Sequence, residues 1–261
     1  MLASAVLLVA AAFRLFALSD VPPGLAQDEI LDADIASFIL GGEHALFFRH
    51  GYGHEPLYHY WAAPFQLAFG DNVLSIRLPS LYLGLLLIAL TMRWARRDYG
   101  SIASLVAGVV FASSWWPIIF SRIGIRPVLE PVLLVLAMWF WPLKSKDTDR
   151  STLKSAVVAG VWLGLSIYSY TAARIILLIP AILLAGFTFQ WLLTQRKNPV
   201  QRDQLEMLRT QMIVAVVILV AGLAVYLPMA LTLRADPTLQ QRIDQLAGPI
   251  SALRDGDIGP V

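Results

Sequence analysis

Met212 to Thr232 reads MIVAVVILVAGLAVYLPMALT, twenty-one residues without a charge. A helix crossing a bilayer core of about 30 Å needs about 20 mostly apolar residues, and this stretch meets that length by itself. Six more apolar stretches lie near residues 2–19, 74–92, 101–118, 128–143, 156–171 and 175–194. The composition agrees: 57% of the 261 residues are hydrophobic and 15% charged, whereas a soluble domain carries about 25% charged residues. The chain reads as an all-α, polytopic membrane protein with about seven transmembrane helices. Residues 2–19 lack a basic leader segment, and Phe13-Arg14-Leu15-Phe16 stands where a cleavage site would need small residues, so this stretch reads as a retained helix. Leu57 to Phe69, interrupted by Pro64, is too short to span and reads as an interfacial helix.

Other classes are excluded quickly. Twenty Lys and Arg against 18 Asp and Glu leave a net charge of +2 with no basic run, so no nucleic-acid partner is expected. Without cysteine there is no disulfide, thiolate metal site or thiol nucleophile.

Lys and Arg resist translocation, and with a cytoplasmic N-terminus the cytoplasmic loops would hold eleven of the twenty: Arg93, Arg96, Arg97, Lys144, Lys146, Arg150, Lys154, Arg196, Lys197, Arg202 and Arg209. The same loops hold only five acids, Asp98, Asp147, Asp149, Asp203 and Glu206, which leaves an acidic outer face. The segment 20–73 is far longer than a connector, so function is expected there, on the extracytoplasmic side. The whole, residues 1–261, reads as one transmembrane domain. Residues 232–261 would begin a further outer segment, with Asp236 capping a helix that starts at Pro237 and runs to about Leu246.

Three outer motifs carry chemistry. Val21-Pro22-Pro23-Gly24-Leu25-Ala26-Gln27-Asp28-Glu29 makes a turn and presents two acids at the start of a helix running to about Leu40. Neighbours on a helix diverge by about 100°, so Asp28 and Glu29 cannot face one point, whereas Asp28 and Asp32, one turn apart, can. Such a carboxylate serves as general base for a hydroxyl or as a cation ligand, or it simply favours the helix dipole. Gly51-Tyr52-Gly53-His54-Glu55-Pro56-Leu57-Tyr58-His59-Tyr60 resembles a zinc-protease motif only superficially. His54 and His59 are five apart with Pro56 between them, which breaks the helix that would align them, so no metal site is assigned. Ser121-Arg122-Ile123-Gly124-Ile125-Arg126 places two guanidinium forks in a hairpin on the side that disfavours them; they suit a phosphate, or Arg126 pairs locally with Glu130. Arg174, following Tyr168 and Tyr170, is either a third phosphate ligand or an interfacial anchor.

The runs PPGLAQDE, GGEHALFF, GHEPLYHYW, FGDNVLSIRLPS, SRIGIRP and GLSIYSYTAARI, taken in order from residue 1 to about 245, resemble the GT-C class of membrane glycosyltransferases. The closest likeness is to family 39, which includes the protein O-mannosyltransferases, and to its bacterial relative, the aminoarabinose lipid A transferase. The resemblance implies an inverting transferase moving a sugar from a polyprenyl- or dolichyl-phosphate donor to a protein or glycolipid hydroxyl on the extracytoplasmic face. It implies Asp28, with Glu29 beside it, as the catalytic base or acceptor-side acid; Arg122, Arg126 and Arg174 as donor-phosphate ligands; and His54, Glu55, Tyr58 and Tyr170 as substrate-loop residues. A divalent cation is compatible with the acidic face, but no ligand spacing demands one. Relatives continue further, so a C-terminal part or partner subunit is expected to complete acceptor recognition. Two other readings use the same residues: a transporter or flippase of a polyprenyl-linked substrate, and an inactive scaffold. A transporter needs ionisable groups near the midplane, where only Arg14 is placed.

Overall fold

The computed structural model describes residues 1–143, 145–195 and 202–240. Ten α-helices account for most of them: α1 Leu2–Leu15, α2 Gln27–Leu40, α3 Leu57–Phe69, α4 Val73–Tyr99, α5 Ser101–Ser113, α6 Trp115–Arg122, α7 Leu129–Phe140, α8 Arg150–Ser166, α9 Leu178–Gln195 and α10 Arg202–Ala235. No strand occurs among the described residues; an isolated bridge joins Phe48 and His54.

Three helical segments are long and apolar enough to cross a membrane: Val73–Tyr99, Thr171–Thr194 and Asp203–Ala235. A fourth span is formed if α5 and α6, bent by 58°, are taken together. Pro117 accounts for the bend. It has no N–H for the carbonyl four residues earlier, and the chain turns extended at Ser114, just upstream. The seven-span expectation is therefore not met by length: α1, α7 and α8 are helical where expected but have 14, 12 and 17 residues. Residues 57–69 form α3 with Pro64 inside it, as the hydropathy indicates. At the far end Asp236 caps a 3-10 turn, Pro237–Gln240, by accepting from Thr238 N at 3.1 Å. The expected continuation to Leu246 lies outside the described residues, as do Lys144, Arg196 and Lys197.

Among the described residues the core falls into four packed groups, and the two largest matter most for the site. Ile35, Phe48, Tyr58, Leu87 and Leu133 join α2, α3, α4 and α7. Ala159, Leu163, Ala173, Val214 and Ile218 join α8, the 3-10 turn Thr171–Leu177 and α10, with Leu183 of α9 packed against them. The second group is close-set because α8 is glycine-notched: a Cβ at Gly160 would lie 2.5 Å from Ile218 O, and one at Gly164 would lie 2.7 Å from Gly222 O. The loop between α2 and α3 is held at both ends. Arg49 pairs with Asp236, and Leu57 N donates to Tyr168 O at 2.9 Å. Gly53, at φ +106°, is required where this loop passes the backbone, since a Cβ there would meet Leu239 O at 2.8 Å.

Candidate active site

Helix α2 begins where the Pro/Gly turn ends. Its first turn is closed by Glu29, whose Oε2 accepts from Ala26 N at 2.9 Å. The other oxygen, Oε1, accepts from Arg77 Nε at 3.0 Å and from Gly124 N at 3.1 Å. Arg77, fully buried on α4, also donates to Leu18 O at 2.8 Å and Gly24 O at 2.5 Å. Glu29 thus ties together the α1–α2 turn, α4 and the hairpin before α7. Its side chain is 1% exposed and both oxygens accept hydrogen bonds, so it has no freedom to meet an acceptor hydroxyl. Expected as catalytic, it is a structural ion pair instead. The 100° divergence from Asp28 is the reason.

Asp28 points the other way and is exposed. It lines a small cavity of about 40 Å³ together with Asp32, His54, Ile125, Arg126, Pro127 and Tyr170. Each wall comes from a different segment: α2, the loop closed by the Phe48–His54 bridge, the hairpin leading to the 3-10 turn Arg126–Val128, and the residue preceding the 3-10 turn Thr171–Leu177. The Arg126 guanidinium carbon lies 5.7 Å from the Tyr170 ring centroid, a cation–π distance. The residue is 5% exposed, and its Nη1 makes no hydrogen bond among the described residues. A buried guanidinium in this state calls for an anion. The Arg126 backbone N–H donates to Asp32 Oδ2 at 2.9 Å, which fixes the hairpin against α2.

Arg122, in the same hairpin, is used differently. Its fork donates to Phe13 O at 2.8 Å, Arg14 O at 3.0 Å, Ala17 O at 3.3 Å and Val21 O at 2.7 Å. These carbonyls lie at and beyond the end of α1, and all but Ala17 O, which also accepts from Asp20 N and Val21 N, gain their donor from this fork, so Arg122 acts as a C-cap supplied from another helix. It is not brought to the cavity. Arg122→Lys is expected to lower stability by about 1–3 kcal/mol, because carbonyls lose donors, while leaving the KM for a phosphate-bearing donor unchanged. Thermal unfolding alongside saturation kinetics checks this; a raised KM with unchanged unfolding would restore the phosphate role.

Glu55 and Arg174 meet each other beside the cavity. Glu55 is fully buried; its Oε1 accepts from Thr171 Oγ1 at 2.7 Å and lies 3.5 Å from Arg174 Nη2. Arg174 is partly committed to that carboxylate. Tyr58, expected in the substrate loop, is packed in the core, its hydroxyl 2.7 Å from Ser80 Oγ. Arg14, the one ionisable group expected within a span, donates to Ala10 O, Phe111 O and Ala112 O, the last two near the end of α5.

The family profile for dolichyl-phosphate-mannose-protein mannosyltransferase matches residues 53–232. The chain belongs to this family. The match takes in His54, Arg126 and Tyr170 but begins after Asp28. No curated protein matches the chain. Among solved structures, the crystal structure of an Archaeoglobus fulgidus oligosaccharyltransferase, in complex with Zn and sulfate, has a TM-score of 0.52 and 15% identity over 97% of this chain. At that identity the likeness concerns the fold. The chain spans 39% of that structure's length.

Within this mannosyltransferase-family fold one further group, not expected from the sequence, is assembled. Asp32, His54 and His59 converge behind the cavity wall, with Asp32 Oδ1 3.3 Å from His54 Nδ1 and 3.9 Å from His59 Nδ1. Burial pushes the Asp32 carboxyl up, against the opposing pull of His59 and Arg126. Burial also pushes His59 down to about 4, so its ring is neutral at pH 7. The available signal was the Asp28/Asp32 spacing combined with two histidines in one motif. The five-residue interval argued against a shared helix face, but His54 sits in the loop before α3, where helical spacing does not apply.

Proposed function

We propose that the chain is the membrane-embedded core of an inverting glycosyltransferase, moving a sugar from a polyprenyl- or dolichyl-phosphate to a hydroxyl of a protein or glycolipid on the extracytoplasmic face. The observation that carries this reading is the pairing in one cavity of an exposed carboxylate, Asp28, with a buried guanidinium, Arg126, whose Nη1 has no hydrogen-bond partner among the described residues. Family membership supports the reaction class.

In this reading Asp28 takes the proton of the acceptor hydroxyl as the oxygen bonds to the anomeric carbon. The bond from that carbon to the phosphate oxygen breaks on the opposite face, which inverts the centre. The departing lipid phosphate takes the charge, and the Arg126 fork, held over the Tyr170 ring, stabilises it. Glu29 and Arg77 hold the first turn of α2 so that Asp28 keeps its place. Arg174, paired with Glu55 and four residues after the cavity-lining Tyr170 in sequence, is assigned to assist Arg126 with the phosphate.

Arg126→Gln is expected to raise the KM for a polyprenyl-phosphate-linked sugar about tenfold or more, since charge-assisted hydrogen bonds to phosphate contribute about 1.5–3 kcal/mol. Initial-rate kinetics over a donor series in reconstituted membranes measures this. An unchanged KM and kcat would remove Arg126 from the donor site.

A further inference from the structure

Helix α4 ends in Arg93-Trp94-Ala95-Arg96-Arg97-Asp98-Tyr99. Arg77, beside the candidate active site, and Arg97 stand twenty residues apart on this helix, a rise of about 30 Å, which is the thickness of a bilayer core. The last turns of α4 therefore reach the membrane boundary opposite Asp28. A cavity of about 450 Å³ lies there, with Trp94, Arg97, Trp139, Trp141 and Ser155 in its walls. Those walls come from α4, from the end of α7 with the residues that follow it, and from α8.

Arg93 and Arg97, one turn apart, both meet the Trp139 ring, their guanidinium carbons 5.4 Å and 5.5 Å from its centroid. Like charges at this spacing repel unless something offsets them. Arg97 is offset: its Nη1 donates to Trp139 O, near the end of α7, and its Nε and Nη2 donate to Asp98 Oδ1 and Oδ2 at 2.9 Å and 3.0 Å. Arg93 is not, since among the described residues its side chain forms neither a hydrogen bond nor an ion pair. A second donor in the same wall is also unmatched. Trp94 lines the cavity, and its indole N–H is buried with no acceptor among the described residues, whereas a buried indole usually finds one. An oxyanion beside Trp139 answers both groups.

We propose that this cavity binds the headgroup of an anionic phospholipid, with its phosphate between Arg93 and the Trp94 N–H and its acyl chains passing Phe140 towards the bilayer core. Basic pockets between spanning helices at a membrane face suit anionic headgroups, and Trp and Tyr concentrate at the same depth. A free phosphate ion would meet the arginines but leave the aromatic walls unfilled, whereas a phospholipid fills both parts of the cavity. Phosphatidylcholine offers the same phosphate, yet carries a cationic group that Arg93 and Arg97 repel. The site lies at the other end of α4 from Asp28, and its occupancy is read without sugar transfer.

The test is native mass spectrometry of the full chain in detergent micelles, titrated with phosphatidylglycerol, with phosphatidylcholine, and with phosphatidylglycerol in the presence of excess inorganic phosphate. The expected result is one tightly retained phosphatidylglycerol per chain, weaker retention of phosphatidylcholine, and no displacement by inorganic phosphate. Arg93→Gln is expected to weaken phosphatidylglycerol binding about fivefold or more, the usual contribution of one basic residue at an anionic lipid surface, and Arg93→Lys to recover most of it. Trp139→Leu, which removes the ring under both arginines, is expected to weaken it at least as much. Arg93 is exposed, so its variants keep the test open even if Trp139→Leu fails to fold. Arg209→Gln is the control: Arg209 is exposed next to Thr210, whose Oγ1 donates to Lys146 O at 2.9 Å at the same end of the bundle, and it lies outside the cavity. Equal retention of the two lipids would overturn the proposal, as would unchanged binding in Arg93→Gln. Displacement by inorganic phosphate would make this a site for a soluble anion, and an equal loss in Arg209→Gln would reduce it to general surface charge; either result overturns the lipid assignment.

Discussion

Arg77→Met is expected to destabilise the protein by about 3–5 kcal/mol, because it leaves the Glu29 carboxylate buried with no opposite charge. The pair is enclosed on both sides, with Arg77 0% and Glu29 1% exposed. Its other bonds raise the cost. The Arg77 fork supports Leu18 O and Gly24 O in the α1–α2 turn, and Glu29 supports the N–H groups of Ala26 and Gly124. Removing one charge therefore loosens the turn, the start of α2 and the hairpin together. Adding Glu29→Gln to Arg77→Met is expected to recover part of the loss, since a neutral amide tolerates burial better than an unpaired carboxylate. Equilibrium unfolding of the wild type, the single variant and the double variant in one detergent decides it. A loss below about 1 kcal/mol for the single variant would mean that the pair is no stronger than a surface ion pair.

Asp28→Asn, one residue from Glu29, is expected to fail in the opposite way. Sugar transfer should fall by about 10²–10⁴-fold, the usual contribution of a positioned general base, while unfolding changes little. Asp28 is exposed, and its structural value is at most a favourable interaction with the α2 dipole of about 0.3–1 kcal/mol. A carboxylate that served only the helix would show that small loss of stability and no loss of rate. Parallel rate and unfolding measurements on this variant separate the two roles. Asp28→Glu, which keeps the carboxylate one methylene further out, should retain more activity than Asp28→Asn.

These opposed outcomes mark what was legible in the residues. The angle between successive helical positions already separates Asp28 from Glu29 and unites Asp28 with Asp32, and α3 could be bounded from its hydropathy despite Pro64. The helical, membrane-spanning class was equally plain from composition. Arg122 and Arg126 could not be told apart, because they occupy one hairpin and differ only in what lies opposite. The turn of α6 at Ser114 sends Arg122 to the carbonyls at the end of α1, while the extended Ile125 leaves Arg126 beside Tyr170. The partner of Arg77 was hidden for the same reason: Glu29 is 48 residues away in sequence. The count of seven spans is not confirmed, since α1, α7 and α8 have 14, 12 and 17 residues and three or four helices meet the length and hydropathy of a span.

In the proposed function this fold transfers a sugar and does not carry a lipid. The most direct test is product analysis in proteoliposomes containing the full chain, a polyprenyl-phosphate-linked sugar and a hydroxyl acceptor. The predicted result is polyprenyl monophosphate released in equal amount with glycosylated acceptor of inverted configuration, both abolished by Asp28→Asn. Movement of intact donor between leaflets, without release of the lipid phosphate and insensitive to Asp28→Asn, would contradict it.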